Sequence, residues 1–276
     1  MKTTLASILC VLPGYVFAQG SLTPPGAPAP LFKTLQQVEP RTPISTFFTI
    51  ITNSGSFYLT TNLVNAGDSN DGIFIRSNAA NVTIDLNGFS IISTGVASNV
   101  SPAAFRIDGA TNITIRNGRI FGFDRAVRAQ AAFSSVLIED IFASGCHRAG
   151  IEANGLNFGS SPSPTMTVRR CVVENVDATG EAASAPADGI VILNAIGVVD
   201  SCVVRNIIAA GASASTCINC TSATNTFINN NFLSGADTGL RISGGTSTNY
   251  YRNNLTADCP TPFSVDTHGV DRGGNF

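Results

Sequence analysis

Met166-Thr-Val-Arg-Arg-Cys-Val-Val-Glu-Asn-Val176 and Val198-Val-Asp-Ser-Cys-Val-Val-Arg-Asn-Ile207 decide the fold. Superimposed, they bring Val168 onto Val199, Cys171 onto Cys202, Val173 onto Val204 and Asn175 onto Asn206. The same frame fits 84–89, 115–120, 138–143, 227–232 and 250–255. Its fourth position then reads Asn87, Gly118, Ile141, Cys171, Cys202, Asn230 and Asn253. A tight corner between two strands tolerates that mixture.

A second element recurs between these copies, a short run with apolar alternate positions. It reads Gly72-Ile-Phe-Ile75, Ala104-Phe-Arg-Ile107, Ala126-Val-Arg-Ala129, Gly150-Ile-Glu-Ala153, Gly189-Ile-Val-Ile192, Cys217-Ile-Asn-Cys220, Gly239-Leu-Arg-Ile242 and Pro262-Phe-Ser-Val265. The first apolar residue of each copy is Ile73, Phe105, Val127, Ile151, Ile190, Ile218, Leu240 and Phe263. A minimal spacing of about 22 residues, with occasional insertions, marks a repeat architecture. Very short strands that turn alternate residues inward make each repeat one coil of a parallel β-helix. An α-solenoid does not fit, because β-branched residues at period two and Asn-Gly corners disfavour helix.

The chain of 276 residues is 43% hydrophobic and only 12% charged, which suits one regularly stacked all-β domain. A formal net charge of -2 gives no reason to expect nucleic acid or an anionic membrane surface as partner. Residues 1–18 read as a secretory signal peptide: Lys2 is the positive start, 5–16 the apolar run and Val16-Phe-Ala18 the cleavage site. The expected location is therefore secreted or periplasmic/cell surface, and no later stretch is apolar enough to span a bilayer. Residues 19–47 read as a Pro-rich arm and N-terminal cap, with a short helix over 31–38 ending before Pro40. The remainder, 48–276, is expected to form about eight coils. Three stretches, 92–102, 156–164 and 177–187, exceed the minimal coil and read as surface loops.

With its repeats from about 54 to 265, its Leu22-Thr-Pro-Pro-Gly-Ala-Pro-Ala-Pro30 segment and the following Val38-Glu-Pro-Arg-Thr-Pro-Ile44, the chain resembles the pectate-lyase-like superfamily. More narrowly, it is similar to secreted bacterial right-handed parallel β-helix repeat proteins. The resemblance implies a single-stranded right-handed parallel β-helix solenoid. It also implies that the face bearing the Gly-Ile runs, flanked by loops, carries any polysaccharide cleft. Thr267-His-Gly269 faintly resembles the Gly-His-Gly of β-helical polygalacturonases, but the adjacent aspartate pair that works with that motif is missing.

Six cysteines follow the signal: Cys146, Cys171, Cys202, Cys217, Cys220 and Cys259. An even count in an exported protein permits disulfides. Cys171 and Cys202 would stack about 4.8 Å apart, where thiols packed as small hydrophobes compete with a bridge, and the pairing stays open. Cys217-Ile-Asn-Cys220 has the spacing of a redox or zinc pair, but no second pair follows and it lies on a strand. No metal-ligating set is assigned and no cofactor expected, with calcium entering only under a lyase-like reading. The Asn-rich corners read as side-chain ladders that satisfy backbone groups.

On the Gly-Ile runs, the residue between the two inward positions points outward. Coil by coil these are Phe74, Arg106, Arg128, Glu152, Val191, Asn219, Arg241 and Ser264, with Arg76, Asp108, Gln130 and Asn154 beside them. So many arginines on one face of a sparsely charged chain suit sugar hydroxyls and uronate groups. Substrate-binding candidates are Arg76, Arg106, Asp108, Arg128, Asn154 and Arg241. Glu152 and Asp188 are the catalytic candidates, and their arginine neighbours are expected to lower a carboxyl pKa, favouring a base over an acid. The loops 156–164 and 177–187 are expected to wall the groove. These residues predict an exported non-catalytic module that binds carbohydrate or serves as a surface interaction protein. The alternatives are a polysaccharide lyase, epimerase or hydrolase acting on an acidic polysaccharide, and a structural envelope component. The expected partner is an extended polysaccharide or a cell-surface component.

Overall fold

The computed structural model describes residues 40–65, 69–95, 101–155, 164–181, 185–245 and 247–276. They form a right-handed parallel β-helix with one sheet of 16 strands and one of nine. The expected signal peptide, the Pro-rich arm and the helix over 31–38 lie outside the described residues. Thr42–Ile44 already pairs with Gly55–Leu59, and Thr49–Ile51 with Ile73–Ile75, so the sheets begin ahead of the first Gly-Ile run. The nine-stranded sheet consists of that early strand and the eight recurrent runs.

Stacking follows directly from the repeat. Ile73, Phe105, Val127, Ile151, Ile190, Ile218 and Leu240 are register partners from coil to coil, and each is fully buried. Each such side chain contributes about 1.5–3 kcal/mol by leaving water. The residue before each of them also faces inward, and this limits it to something small. A Cβ on Gly150 would meet Val173 Cγ1 at 2.3 Å, and one on Gly189 would meet Val204 Cγ1 at 2.1 Å. Two successive inward residues break the strict alternation of the strand. The residue just ahead of them is thereby returned to the outward-facing side of the sheet.

One corner of the other sheet is turned through a left-handed residue in each coil. Asn87, Asn117, Asp140, Arg170, Ser201, Asn230 and Asn253 all have φ between 52° and 61°, the region in which Asn is the best tolerated non-glycine residue. The following residue points into the core: Gly118, Ile141, Cys171, Cys202, Asn231 and Asn254 occupy one stacked row. This corrects the frame read from sequence, which aligned Asn230 and Asn253 with the cysteines. The inward partners are Asn231 and Asn254, 2% and 0% exposed.

Those two amides form a buried ladder. Asn231 Oδ1 accepts from the Cys202 amide at 2.9 Å, Asn254 Oδ1 from the Asn231 amide at 3.2 Å, and Asn275 Oδ1 from the Asn254 amide at 3.0 Å. Their Nδ2 groups donate to the Val199 and Ile228 carbonyls. Cys202 and Cys171 continue the row by donating from Sγ to the equivalent carbonyls of Val168 and Ile138, each at 3.7 Å. The six cysteines among the described residues are free thiols. Burial pushes Cys146 and Cys220 up to about 12 and raises Cys217 as well, and Cys217 and Cys220 both pack in the core with no exposure.

Candidate functional site

The outer surface of the nine-stranded sheet carries three side-chain rows in register. The first is the row read from sequence, Phe74, Arg106, Arg128, Glu152, Val191, Asn219, Arg241 and Ser264. The second holds Asp108, Gln130, Asn154, Leu193 and Thr221. The third holds Ala103, Arg125, Ala149, Asp188 and Thr216, the residues that the double inward step returns to the surface.

Toward the N-terminal coils, Arg76 and Arg106 place their guanidinium carbons 5.2 and 4.8 Å from the centre of the Phe74 ring. Arg106 also donates to Asp108 Oδ2 at 2.8 Å and lies 3.5 Å from Asp71 Oδ2. Further along, Arg125 donates to both Glu152 and Asp124. Arg128 Nε lies 4.0 Å from the second Glu152 oxygen, and Asn154 Nδ2 donates to that oxygen at 3.5 Å. Beyond them Asn219 donates to Asp188 at 3.2 Å. Arg125, Arg148, Ala149, Glu152, Asn154 and Asp188 line a groove of about 350 Å³, with Val191 and Asn219 along it. Ala149, between Arg125 and Asp188 in the third row, leaves the space that a longer side chain would fill.

Three arginines of this face, Arg106, Arg125 and Arg128, meet carboxylates. Asp71, Asp108, Asp124 and Glu152 each stand against one or two of them. The face is therefore a network of alternating donors and acceptors rather than a cationic strip. Arg106 Nε, Asp108 Oδ1, Asp124 Oδ1, Arg128 Nε and Asn154 Oδ1 are buried without a hydrogen-bond partner. Among the described residues, His268 Nδ1 is the one other atom in that condition. Buried polar atoms in folded proteins are rarely left so.

Asp188 behaves opposite to expectation. Burial outweighs the hydrogen bond from Asn219 and the pull of Arg241, and with Glu152 nearby its carboxyl is pushed up to about 6. The predicted downward shift by arginines fails here because desolvation of the buried carboxyl outweighs the attraction of Arg241. Burial likewise raises Asp71 and Asp124 against their arginine neighbours.

Glu152, Asp188, Asn154 and Arg128 are thus brought together, with Arg106 and Asp108 one or two coils away and Arg76 at the Phe74 end. Arg241 is exposed and lies two coils past Glu152's neighbour Val191. Arg125, Asp124, Arg148 and Asp71 were not singled out in the sequence. The signal for Arg125 was the small residue that follows it, Ala126, which occupies the inward corner row. Of the expected groove walls, 156–163 and 182–184 lie outside the described residues. Among the described residues no cluster of three or more His, Cys, Asp or Glu side chains could hold a metal ion, and no helix is long and apolar enough to cross a membrane.

The chain matches no protein-family model and no curated protein. Among solved structures it is similar to the catalytic domain of a GH87 α-1,3-glucanase in complex with nigerose, at 12% identity and a TM-score of 0.37. A variant of that domain in complex with tetrasaccharides is similar at 10% identity and a TM-score of 0.35. Each alignment covers 84% of this chain and 63% or 64% of the other, so the chain spans less than two thirds of those domains. The likeness reaches no further than the fold.

Proposed function

We propose that the protein is an exported carbohydrate-binding module whose nine-stranded sheet holds an extended, hydroxyl-rich glycan along its outer rows. The observation that carries this reading is the set of outward-facing arginine, carboxylate and amide side chains from Arg106 to Asn154, in register on three successive coils of one face. A sugar chain offers paired hydroxyls at a repeat that can satisfy such rows, each hydroxyl both donating and accepting. Because Arg106, Arg125 and Arg128 are paired with carboxylates, they act as oriented donors rather than as excess charge. This favours a neutral or weakly acidic glycan over a densely acidic one. Export follows from the signal-like residues 1–18. No cofactor is part of this reading.

A glycan-binding screen with the purified protein tests it. Replacing Arg106 and Arg128 together by alanine should weaken binding of every captured glycan by about tenfold or more. A double variant that binds as well as the parent would reduce this face to solvated surface.

A second reading, a hydrolase or lyase using the same groove, rests on Asp188. A carboxyl raised to about 6 is half protonated near that pH and could serve as a general acid. Glu152, held by Arg125, is the second carboxyl on this reading. Release of reducing sugar or unsaturated product, lost in Asp188→Asn with binding intact, would select it.

A further inference from the structure

One branch of the 16-stranded sheet carries an apolar row on its outer side. Phe142, Val172, Val203, Phe232 and Leu255 are register partners from coil to coil. Each of the first four stands between two buried residues and is itself only partly covered, and Leu255 is 48% exposed. Phe276, 77% exposed, adds a level beyond Leu255 through backbone hydrogen bonds with Asn254 and Thr256. Toward the other end, the Phe121 ring packs on Phe142 with centroids 5.8 Å apart, and Ile92 is the register partner of Phe121. On the adjoining branch the outward row is ionic or amide instead: Asp85, Arg116, Glu139, Arg169, Asp200 and Asn229. From Ile92 to Phe276 the apolar stripe runs for about 34 Å at the usual strand spacing. Continuous outward apolar surface of that kind marks a contact with another molecule.

The order of the side chains says which molecule. About the midpoint between Val172 and Val203 the row is a palindrome: Phe142, Val172, Val203, Phe232. Two residues further along each strand the parallel row reads Ser144, Glu174, Arg205, Ser234, with opposite charges at the two central levels. Within one copy, Arg205 donates to Glu174 at 2.6 Å. A two-fold axis along the strand direction at that midpoint reverses the order of the coils and keeps each row opposite itself. It sets Val172 on Val203 of the partner subunit and Phe142 on Phe232 of the partner subunit. It also sets Glu174 on Arg205 of the partner subunit, so the central charges alternate across the contact. An axis along the solenoid cannot match both rows at once. Self-complementarity of this kind is what a symmetric dimer interface requires.

We propose that this stripe is the contact of an antiparallel two-fold dimer, its occupant a second copy of the chain. The groove on the nine-stranded sheet lies outside it, so the two readings stand or fall separately.

Sedimentation velocity over a concentration series tests it. The parent should associate to a dimer at about 100 μM or below. Phe232→Glu enters the interface twice and should weaken association at least about tenfold. Glu174→Arg alone opposes like charges and should weaken it as well. Glu174→Arg with Arg205→Glu should restore the parent's association, because the swap re-forms the pairs within and between copies. Arg205 is exposed, so the charge swap tests the idea even if Phe232→Glu fails to fold. A parent that stays monomeric at that concentration overturns the proposal and leaves the stripe to a different occupant. A dimer left intact by Phe232→Glu overturns it too. Failure of the charge swap to restore a dimer that Glu174→Arg has weakened overturns the antiparallel arrangement.

Discussion

Arg125 donates from Nε to a carboxylate oxygen of Glu152 on the next coil, and from Nη1 to Asp124 beside it. All three residues are buried, at 8%, 7% and 1% exposure. The arrangement is costly to interrupt, because a buried carboxylate without its counter-ion retains its desolvation penalty. Arg125→Ala should destabilise the protein by about 3 kcal/mol, visible as a lower urea midpoint. Arg125→Met combined with Glu152→Leu and Asp124→Asn should recover most of that loss. A single variant as stable as the parent would mean that Glu152 is already solvated.

Asp188 sets a pH dependence of definite sign. Its folded pKa, about 6, lies above the ordinary carboxylate value of 3.8. The folded state therefore binds more protons than the unfolded state between these limits. The stabilisation is fully present below about pH 4 and is lost as pH rises through about 6, by at most about 3 kcal/mol. Asp71 and Asp124 shift in the same direction, so Asp188→Asn should flatten the stability profile between pH 4 and 6 without abolishing its slope. An unchanged profile in that variant would place the Asp188 carboxyl in water.

The buried amide ladder and the exposed corner residue beside it should respond very differently. Asn254→Ala leaves the Asn231 amide and the Ile228 carbonyl without partners in a site with no exposure. Its cost should be about 2–4 kcal/mol, one to two buried groups left unsatisfied. Asn253→Ala forces a left-handed φ of 53° on alanine and should cost about 1 kcal/mol, while Asn253→Gly should be nearly neutral. Thermal melts of the three variants check the order. The reverse order would restore the register that puts Asn253 inside.

The repeat was legible because β-branched residues at period two, recurring in runs at a near-constant minimal spacing, have few other physical solutions. The face of the site was legible too, since the residue between two buried apolar ones must point out. What escaped was decided by local departures from alternation. Counting back from Val127, Arg125 falls on an inward position; only the crowding that restricts Gly150 and Gly189 reveals that two successive residues face in. In Phe227-Ile-Asn-Asn-Asn, apolar character suggests Phe227 for the core, yet Ile228 is the partner of Val199 and Phe227 lies outside. The same slip exchanged Tyr250 and Tyr251, and with it hid the stacking of Phe227 on Tyr250. Orphaned polar atoms and the raised pKa of Asp188 depend on packing between coils that are far apart in sequence, and no local pattern encodes them.

Inward and outward positions on the nine-stranded sheet can be ranked by placing one carboxylate at each. Ile190 is fully buried between Ile151 and Ile218, so Ile190→Asp buries an unpaired charge and should cost several kcal/mol, about 4 or more. Val191, one residue on, points outward as the alternation requires, but at 9% exposure it is not the open position that alternation alone suggests. It is the register partner of Glu152 within the groove. Val191→Asp therefore sets two carboxylates side by side and should cost about 1–2 kcal/mol. That cost should shrink as pH falls and one of the pair takes a proton. Ser264, in the same row but exposed, should tolerate aspartate within about 0.5 kcal/mol. Thermal midpoints falling in the order Ser264→Asp, Val191→Asp, Ile190→Asp check the assignment, and equal midpoints for Ile190→Asp and Val191→Asp would contradict it.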